Sequence, residues 1–174
     1  PLDKDTYKKM TVSARGSQRV KNVTVSTSVN YAFQRNNFVS TGQGTGSMYN
    51  AVMQTPRDIS LAELKDLNNP FNTPGYYFTP YNVLNPYQVI QDNLNAYESE
   101  RFYGKFQLDW EIFNDLKFTY RIGLDSSVGY HETGTPNYSA LYLNTPNYAD
   151  ELSTMTGSFS QQTQRRREIN QDFM

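Results

Sequence analysis

The chain has 174 residues, a formal net charge of −1 and a mean hydropathy of −0.73. This balance, without a basic stripe, gives no reason to expect a nucleic-acid surface, and the absence of cysteine excludes disulfides and thiolate metal sites. A run of about 18 apolar residues, which a transmembrane helix needs, does not occur in the sequence.

Two strands joined by a tight turn are predicted at the start of the chain, over residues 7–20 and 23–35. Apolar side chains fall at even positions in the first and at odd positions in the second, which is the period-2 alternation of strands. A two-residue loop, Lys21-Asn22, fits both parities, and we expect Asn22 to adopt the left-handed conformation of such a turn. The resulting register pairs Val20 with Val23, Val12 with Tyr31 and Met10 with Phe33.

A long connection, residues 36–100, follows, and its composition predicts ordered structure. The stretch GSMYNAVMQTP predicts a short helix ended by Pro56. Ser60 and Glu63 have the spacing of a capping box, which predicts a second helical turn. The stretch NNPFNTPGYYFTPYNVLNPY, residues 68–87, is rich in proline and aromatic residues, so we expect an ordered aperiodic loop there.

The aromatic side chains of this loop are the candidate ligand contacts. Such rings stack on sugars or pack on peptides at low entropic cost. The candidates for contact with a substrate or with a partner protein are Tyr76, Tyr77, Phe78, Tyr81 and Tyr87. The alternative, that these rings pack within the loop or on neighbouring loops, stays open.

A second hairpin is predicted from strands over residues 101–112 and 116–130, with a tight turn at Asn114-Asp115. Its sequence FQLDWEIFNDLKFTYRI alternates between an apolar and a charged face. The apolar side chains are Phe106, Leu108, Trp110, Ile112, Phe118, Tyr120 and Ile122, and the charged ones are Asp109, Glu111, Lys117 and Arg121. Two registers keep this alternation: one pairs Trp110 with Phe118 and Glu111 with Lys117, and the other pairs Trp110 with Tyr120 and Asp109 with Arg121.

The lengths of the strands and connections predict how the two faces are used. A second long connection, residues 131–154, leads to a fifth strand at about 155–174, so that short turns alternate with long loops as in outer-membrane barrels. Ten alternating residues, tilted by about 40°, span roughly 25 Å, the height of an apolar membrane band. We therefore predict an all-β chain of antiparallel up-and-down strands that form part of a large transmembrane β-barrel, with long extracellular loops carrying short helices. We expect its apolar face to contact lipid and its charged face to line the lumen.

The titratable residues predict no enzyme, cofactor or metal site. His131 is the one histidine, so neither a zinc site nor a histidine-based triad has enough ligands. The carboxylates of the charged face alternate with basic residues, and mutual pairing explains them better than a glycosidase pair. The stretch TGQGTGS, residues 41–47, lacks the spacing of a phosphate loop. For RRRE, residues 165–168, a solvated strand end is favoured over a lipid-phosphate or nucleic-acid site.

Several longer stretches resemble one protein family. They are YAFQRNN, MYNAVMQTPRDISLAELKD, NPYQVIQDNLNAYESERFYGKFQLDWEIFNDLKFTYRIGLD and REINQDFM. Together they resemble the barrel region of SusC/RagA-type TonB-dependent outer-membrane transporters, with Asn85–Tyr87, Arg101–Gly104 and Arg121–Asp125 among the matching motifs. The resemblance covers almost the whole chain.

The resemblance implies a plugged barrel of about 22 strands in a Gram-negative outer membrane. Such a barrel imports oligosaccharides or peptides, is energised by TonB, and is covered by a SusD-like surface lipoprotein. The chain matches about four strands and two extracellular loops of it, without a plug, a TonB box or an N-terminal extension, so we expect a segment of a longer polypeptide. One alternative is a soluble secreted β-sandwich that binds carbohydrate, which would express in water without detergent and melt in one cooperative transition.

Overall fold

The computed structural model describes residues 4–39, 47–78, 84–113, 115–148 and 152–174. These residues form one five-stranded antiparallel, up-and-down sheet in which each strand pairs with its neighbours in the sequence. The strands are β1 (Thr6–Val20), β2 (Val23–Asn37), β3 (Leu94–Phe113), β4 (Leu116–Thr135) and β5 (Ser158–Phe173). The prediction of an all-β chain with antiparallel up-and-down strands is therefore confirmed.

Short helices occupy the long connections of the described chain. The α-helices are α1 (Met48–Gln54), α2 (Pro86–Asp92) and α3 (Tyr138–Leu141), and the 3₁₀ turns are Glu63–Lys65, Pro70–Asn72, Pro146–Tyr148 and Leu152–Thr154. In the parts of the chain that the structure describes, no helix has the length and apolar character needed to cross a membrane.

The two middle strands are longer than the sequence predicted. Strand β3 begins at Leu94 rather than near residue 101, and β4 continues to Thr135 rather than ending near residue 130. The added stretches, LNAYESE and HETGT, carry polar side chains on both faces. Alternation therefore fades there although the backbone ladder continues, because pairing needs N–H and C=O groups and not an apolar face.

The chain divides into two compact units. The loop unit comprises residues 1–6, 37–96 and 131–161, and the sheet unit comprises residues 7–36, 97–130 and 162–174. The loop unit has a hydrophobic core, which consists of Leu84, Val89, Tyr138 and Leu152 with Met48, Tyr142, Tyr148 and Met155 packed against it. In the sheet unit, by contrast, the described residues include no buried hydrophobic side chain, and the two buried side chains, Asn30 and Thr119, are polar.

The hydrogen bonds between strands fix their register. Between β2 and β3, the N–H of Glu111 donates to the carbonyl of Asn22 at 2.9 Å, and the N–H of Phe38 donates to the carbonyl of Asn95 at 3.1 Å. Between β4 and β5, Thr119 and Met174 exchange both backbone hydrogen bonds, at 2.8 and 3.0 Å. Each residue of these two strand pairs can thus be assigned its cross-strand partner, because pairing positions change by one on each strand in opposite directions.

The first turn corrects one sequence expectation. The residue with a positive φ is Lys21, at 53°, and not Asn22. Asn22 is instead held by β3, because its Nδ2 donates to the carbonyl of Glu111 at 2.8 Å while its own carbonyl accepts the Glu111 N–H. These two bonds fix the position of Asn22. Lys21 adopts the left-handed conformation instead, which is disfavoured for a residue with a side chain. Asn114 of the second turn lies outside the described residues.

The predicted helices are present, but one is capped differently. Helix α1 begins after Ser47, whose Oγ accepts from the N–H of Asn50, and ends two residues before Pro56, as expected. The turn after Ser60 is a 3₁₀ helix with no side-chain cap at its N-terminus, so the predicted capping box is wrong. Ser60 acts through its backbone carbonyl, which accepts from the N–H of Glu63 at 3.1 Å. The helical turn begins later than the spacing predicted, with Ala62 at the N-cap position, so Ser60 and Glu63 do not occupy the two positions that a capping box requires.

Candidate functional site

The apolar face of the sheet unit is not covered by other described side chains. Trp110 is 42% exposed, and none of the seven apolar residues singled out in the hairpin is buried. The exposed members are Phe106, Trp110 and Phe118, and the partly exposed members are Leu108, Ile112, Tyr120 and Ile122. Fully burying one such side chain stabilises a protein by about 1.5–3 kcal/mol. Because about a third of each of these side chains is exposed, in water this face would forgo roughly 3–7 kcal/mol in total, which is a large part of the stability of a domain.

Aromatic rings lie at both ends of this apolar face. Near the two short turns are Trp110, Phe118, Tyr120 and Phe173, and the rings of Tyr120 and Phe173 lie 4.9 Å apart between centroids. The strand register places Tyr31, Phe33 and Phe102 at the other end, with Val29, Leu124 and Ile169 between the two groups. Beyond Phe33 and Phe102 the same face becomes charged, since Arg35 and Glu98 form an ion pair at 3.7 Å.

The charged face distinguishes the two registers that the sequence left open. The carboxylate of Asp109 accepts from Thr119 Oγ1 at 2.7 Å, and Gln107 Oε1 accepts from Arg121 Nε at 3.1 Å. Residues that bond side chain to side chain in this way lie directly opposite each other in the register that pairs Trp110 with Phe118. In the other register, both bonds would run diagonally.

The carboxylates of the charged face pair with basic residues, although not with the partners that the sequence suggested. Lys117 pairs with Asp109 at 3.4 Å instead of with Glu111, and Glu111 pairs with Arg19 of β1 at 2.9 Å. Farther along, Arg101 forms a two-pronged pair with Asp125. Each of these carboxylates therefore has a basic partner, which leaves no isolated acid and base at glycosidase spacing among them.

Asn85 holds the long β2–β3 connection together. It is fully buried, and its Nδ2 donates to the carbonyls of Leu64 and Asn72 at 2.8 and 2.9 Å. Its Oδ1 accepts from the N–H of Tyr87 at 3.0 Å and so caps helix α2, which begins with Pro86. One side chain thus satisfies three backbone groups from three parts of the connection.

Asn72 and Asn147 extend this arrangement. Asn72 Nδ2 donates to the carbonyls of Glu63 and Asp66 at 3.0 and 2.9 Å. Asn147, in the second long connection, donates to the carbonyls of Pro74 and Tyr77 at 2.9 and 2.7 Å. Buried or partly buried amides that satisfy carbonyls in pairs give an aperiodic loop one conformation, since few alternatives satisfy all the same groups.

The five candidate aromatic residues differ in accessibility. Tyr76 and Phe78 are 45% and 59% exposed, Tyr87 is partly exposed, and Tyr77 is 3% exposed and packed in the loop. Tyr81 lies outside the described residues, as do residues 41–46 of the glycine-rich stretch. The sequence reasoning did not single out Phe71, which is exposed and meets Tyr76 edge to face at 6.3 Å between centroids. The pair of exposed rings gives the loop an apolar contact surface.

A polar cluster lies under helix α2. Asp92 accepts from Tyr138 Oη at 2.9 Å and from Gln88 Nε2. Burial and the Asp92 carboxylate raise the pKa of the Tyr138 phenol above its usual value. Burial lowers the pKa of Lys4, and nearby Asp92 partly offsets this effect. Within the loop unit, Lys4 Nζ donates to the carbonyls of Gln91 and Asn93 at 3.0 and 2.6 Å, so the residues before β1 are held against the end of helix α2.

His131 is part of the sheet rather than of a surface loop. It lies in β4, its Nε2 is 2.9 Å from Asn95 Oδ1, and its ring stacks on Phe38. The sequence placed it in a loop because β4 loses its alternation before this point. Within the described ranges, no three His, Asp or Glu side chains are grouped so as to hold a metal ion.

Sequence reasoning missed the role of Asn72, Asn85 and Asn147 in holding the long connections together. The motif Asn85-Pro86 signals a helix cap, since asparagine is favoured before a helix and proline at its first position. The two carbonyl partners of Asn85, at residues 64 and 72, carry no signal of their own because every residue has a carbonyl group.

No protein-family model matches the chain. A search of curated proteins likewise finds no match. The faces of the sheet and the exposed loop aromatics therefore carry the functional proposal.

Proposed function

We propose that this chain is a segment of the β-barrel of a TonB-dependent outer-membrane transporter of the SusC/RagA type. In this proposal the barrel imports oligosaccharides or peptides, and a SusD-like lipoprotein covers its outer mouth. The observation that carries the proposal is the uncovered apolar face of a sheet whose opposite face is charged and internally paired.

The dimensions of the apolar face suit a membrane. On β3 it runs from Phe102 to Ile112, and ten residue steps of about 3.3 Å, tilted by about 40°, span roughly 25 Å. Lipid would remove these side chains from water, and the aromatic rings at both ends would lie at the two membrane interfaces. Asp109, Glu111, Lys117 and Arg121 would then face the lumen, where their partners and water satisfy them.

The two long connections supply the proposed contacts with substrate and lid. The turns at residues 21–22 and 114–115 are short, and the connections at residues 38–93 and 136–157 are long. In outer-membrane barrels the long loops are extracellular. Exposed rings on an ordered loop suit recognition of a sugar or a peptide, because little entropy is lost when they bind. Tyr76 and Phe78, with Phe71, are therefore the proposed contact residues.

Single-cysteine variants test which face meets lipid, since the chain has no cysteine of its own. The matched pair is Arg121→Cys and Ile122→Cys, neighbours on opposite faces of β4. In the polypeptide that carries this chain, assembled in its membrane, a water-soluble maleimide should label position 121 much faster than position 122. Equal labelling at the two positions would refute the lipid-facing assignment.

The β-sandwich alternative predicts the opposite behaviour in the same samples. A soluble carbohydrate-binding module would remain in the aqueous fraction without detergent. It would also bury Ile122 in a core, so that labelling at position 122 would appear only on unfolding. Recovery of the parent protein in the aqueous fraction would favour this alternative.

Substrate contact is tested by uptake. The double variant Tyr76→Ala/Phe78→Ala removes two exposed rings, and the control Phe159→Ala removes an exposed ring on β5. Aromatic contacts of about 0.5–1.5 kcal/mol each predict a roughly tenfold rise in the nutrient concentration that gives half-maximal growth. Growth is measured with an oligosaccharide mixture or a peptide mixture as the sole carbon source. If the double variant grows like the Phe159→Ala control on both, these rings are not substrate contacts.

A further inference from the structure

Two arginine residues of β5 lie on the apolar face of the sheet unit. Thr119 and Met174 exchange backbone hydrogen bonds, and Tyr120 packs on Phe173, so these residues are directly paired. The same register continues farther along the two strands, where Gln161 Nε2 donates to Glu132 at 2.9 Å. In this register Arg167 is opposite Ser126 and Arg165 is opposite Val128, and both lie on the face of Tyr120, Ile122 and Leu124.

The intervening residue, Arg166, lies on the charged face and behaves differently. It forms an ion pair with Glu168 and interacts electrostatically with Asp125, which itself pairs with Arg101. Within the ranges that the structure describes, neither Arg165 nor Arg167 has an ion pair. Both side chains are exposed. The strand therefore presents two unneutralised guanidinium groups on one face and a neutralised one on the other.

The position of these two residues along the apolar face is informative. The row of Arg167 across the sheet contains Ser126, Phe102 and Tyr31. This row lies at the end of the apolar face that is far from the short turns. The next row toward the band centre contains Ile169, Leu124 and Val29. The row of Arg165 contains Glu100, which is close to Tyr31. The two arginines thus lie where apolar surface gives way to polar surface, away from the short turns.

We infer that Arg165 and Arg167 bind the phosphate groups of a membrane lipid headgroup at the outer rim of the band. This inference rests on the proposed membrane function and identifies a lipid partner that the proposed function does not specify. Arginine forms two parallel hydrogen bonds to a phosphate, and neighbouring rings hold the acyl chains below it. In the outer leaflet of an outer membrane, the lipid of this chemistry is lipid A.

The test compares the double variant Arg165→Gln/Arg167→Gln with the control Arg166→Gln and with the parent. All three are made in the full-length polypeptide that carries this chain. Glutamine keeps hydrogen-bonding capacity but removes the charge. The first readout is the amount of protein in the outer-membrane fraction. The second is the affinity of the purified, detergent-solubilised protein for lipid A, for dephosphorylated lipid A and for inorganic phosphate.

We expect to find all three proteins in the outer-membrane fraction. The double variant alone should bind lipid A on the order of 30-fold more weakly, because each basic residue contributes about 1 kcal/mol near a membrane surface. Dephosphorylated lipid A should bind the parent and the double variant equally weakly. If the parent is absent from the membrane, the proposed function fails and this inference with it. If all three proteins are in the membrane and bind lipid A equally, only this inference is overturned. Inorganic phosphate that binds the parent as tightly as lipid A would overturn a lipid headgroup as the source.

Discussion

Replacing Asn85 by aspartate should open the long β2–β3 connection. Aspartate keeps the oxygen that caps helix α2 but replaces the amide that donates to the carbonyls of Leu64 and Asn72. Each carbonyl would lose its donor in a buried site, which costs about 1–3 kcal/mol of stability. Each would instead face the second carboxylate oxygen of the aspartate. The local free energy of unfolding should therefore fall by roughly 3 kcal/mol or more.

Asn69 provides a matched control for this substitution. Its Oδ1 also caps a helical turn, by accepting from the N–H of Phe71 at 3.1 Å, but the residue is exposed. Aspartate caps as well as asparagine does, so Asn69→Asp should change stability by less than about 0.5 kcal/mol.

Hydrogen exchange followed by mass spectrometry measures the difference in the assembled protein. Peptides that cover residues 61–78 should exchange roughly 100-fold faster in Asn85→Asp than in the parent, because local opening controls their exchange. The same peptides should be unchanged in Asn69→Asp. Equal protection in the two variants would show that the buried amide does not hold the connection together, and the reasoning would fail.

Three further predictions follow from the sheet, the first turn and the α2 cluster. Oxidation should cross-link the double variant Gln107→Cys/Arg121→Cys, because directly opposite residues have Cβ atoms about 4.5–5.5 Å apart. The double variant Asp109→Cys/Arg121→Cys should not cross-link, as judged by gel mobility after proteolysis. The reverse result would establish the other register. Lys21→Gly should stabilise the first hairpin by about 0.5–1 kcal/mol, because glycine accepts a positive φ without strain. A lower urea midpoint than that of the parent would contradict this prediction. Because the pKa of Tyr138 is raised, its contribution to stability is present below the unfolded pKa of about 10 and is lost as the pH rises beyond it. Tyr138→Phe should reduce the alkaline loss of exchange protection and leave the part that is due to Tyr142, whose pKa is raised by burial and by Asp92. An unchanged loss would exclude Tyr138 as a cause.

Sequence reasoning predicted the sheet well because side chains on a strand alternate strictly. A shift of one residue would place Trp110 with the charged side chains, so the apolar and charged sets define the faces without a structure. The register within the second hairpin was not predictable, since two loop lengths keep the same alternation. The contacts of Asp109 and Gln107 with β4 decide between the two registers.

The loop unit was predictable only in part. Proline and the aromatic residues indicated order, and the first helix was found where the sequence placed it. The conformation of the loop depends on which distant carbonyls the asparagine amides reach, and a carbonyl group looks the same at every position of a sequence. For the same reason, the sequence could not show that Tyr77 would be buried while Tyr76 and Phe78 would be exposed.

The contacts of Asn147 and Gly75 set a rule for exchanging loops between related proteins. Asn147 of the second long connection bonds two carbonyls of the first, and a side chain at Gly75 would meet Thr145 at 2.6 Å. A chimera that transplants one connection alone would leave those carbonyls without donors or force a steric overlap. The two long connections should therefore be exchanged, and engineered, as a pair.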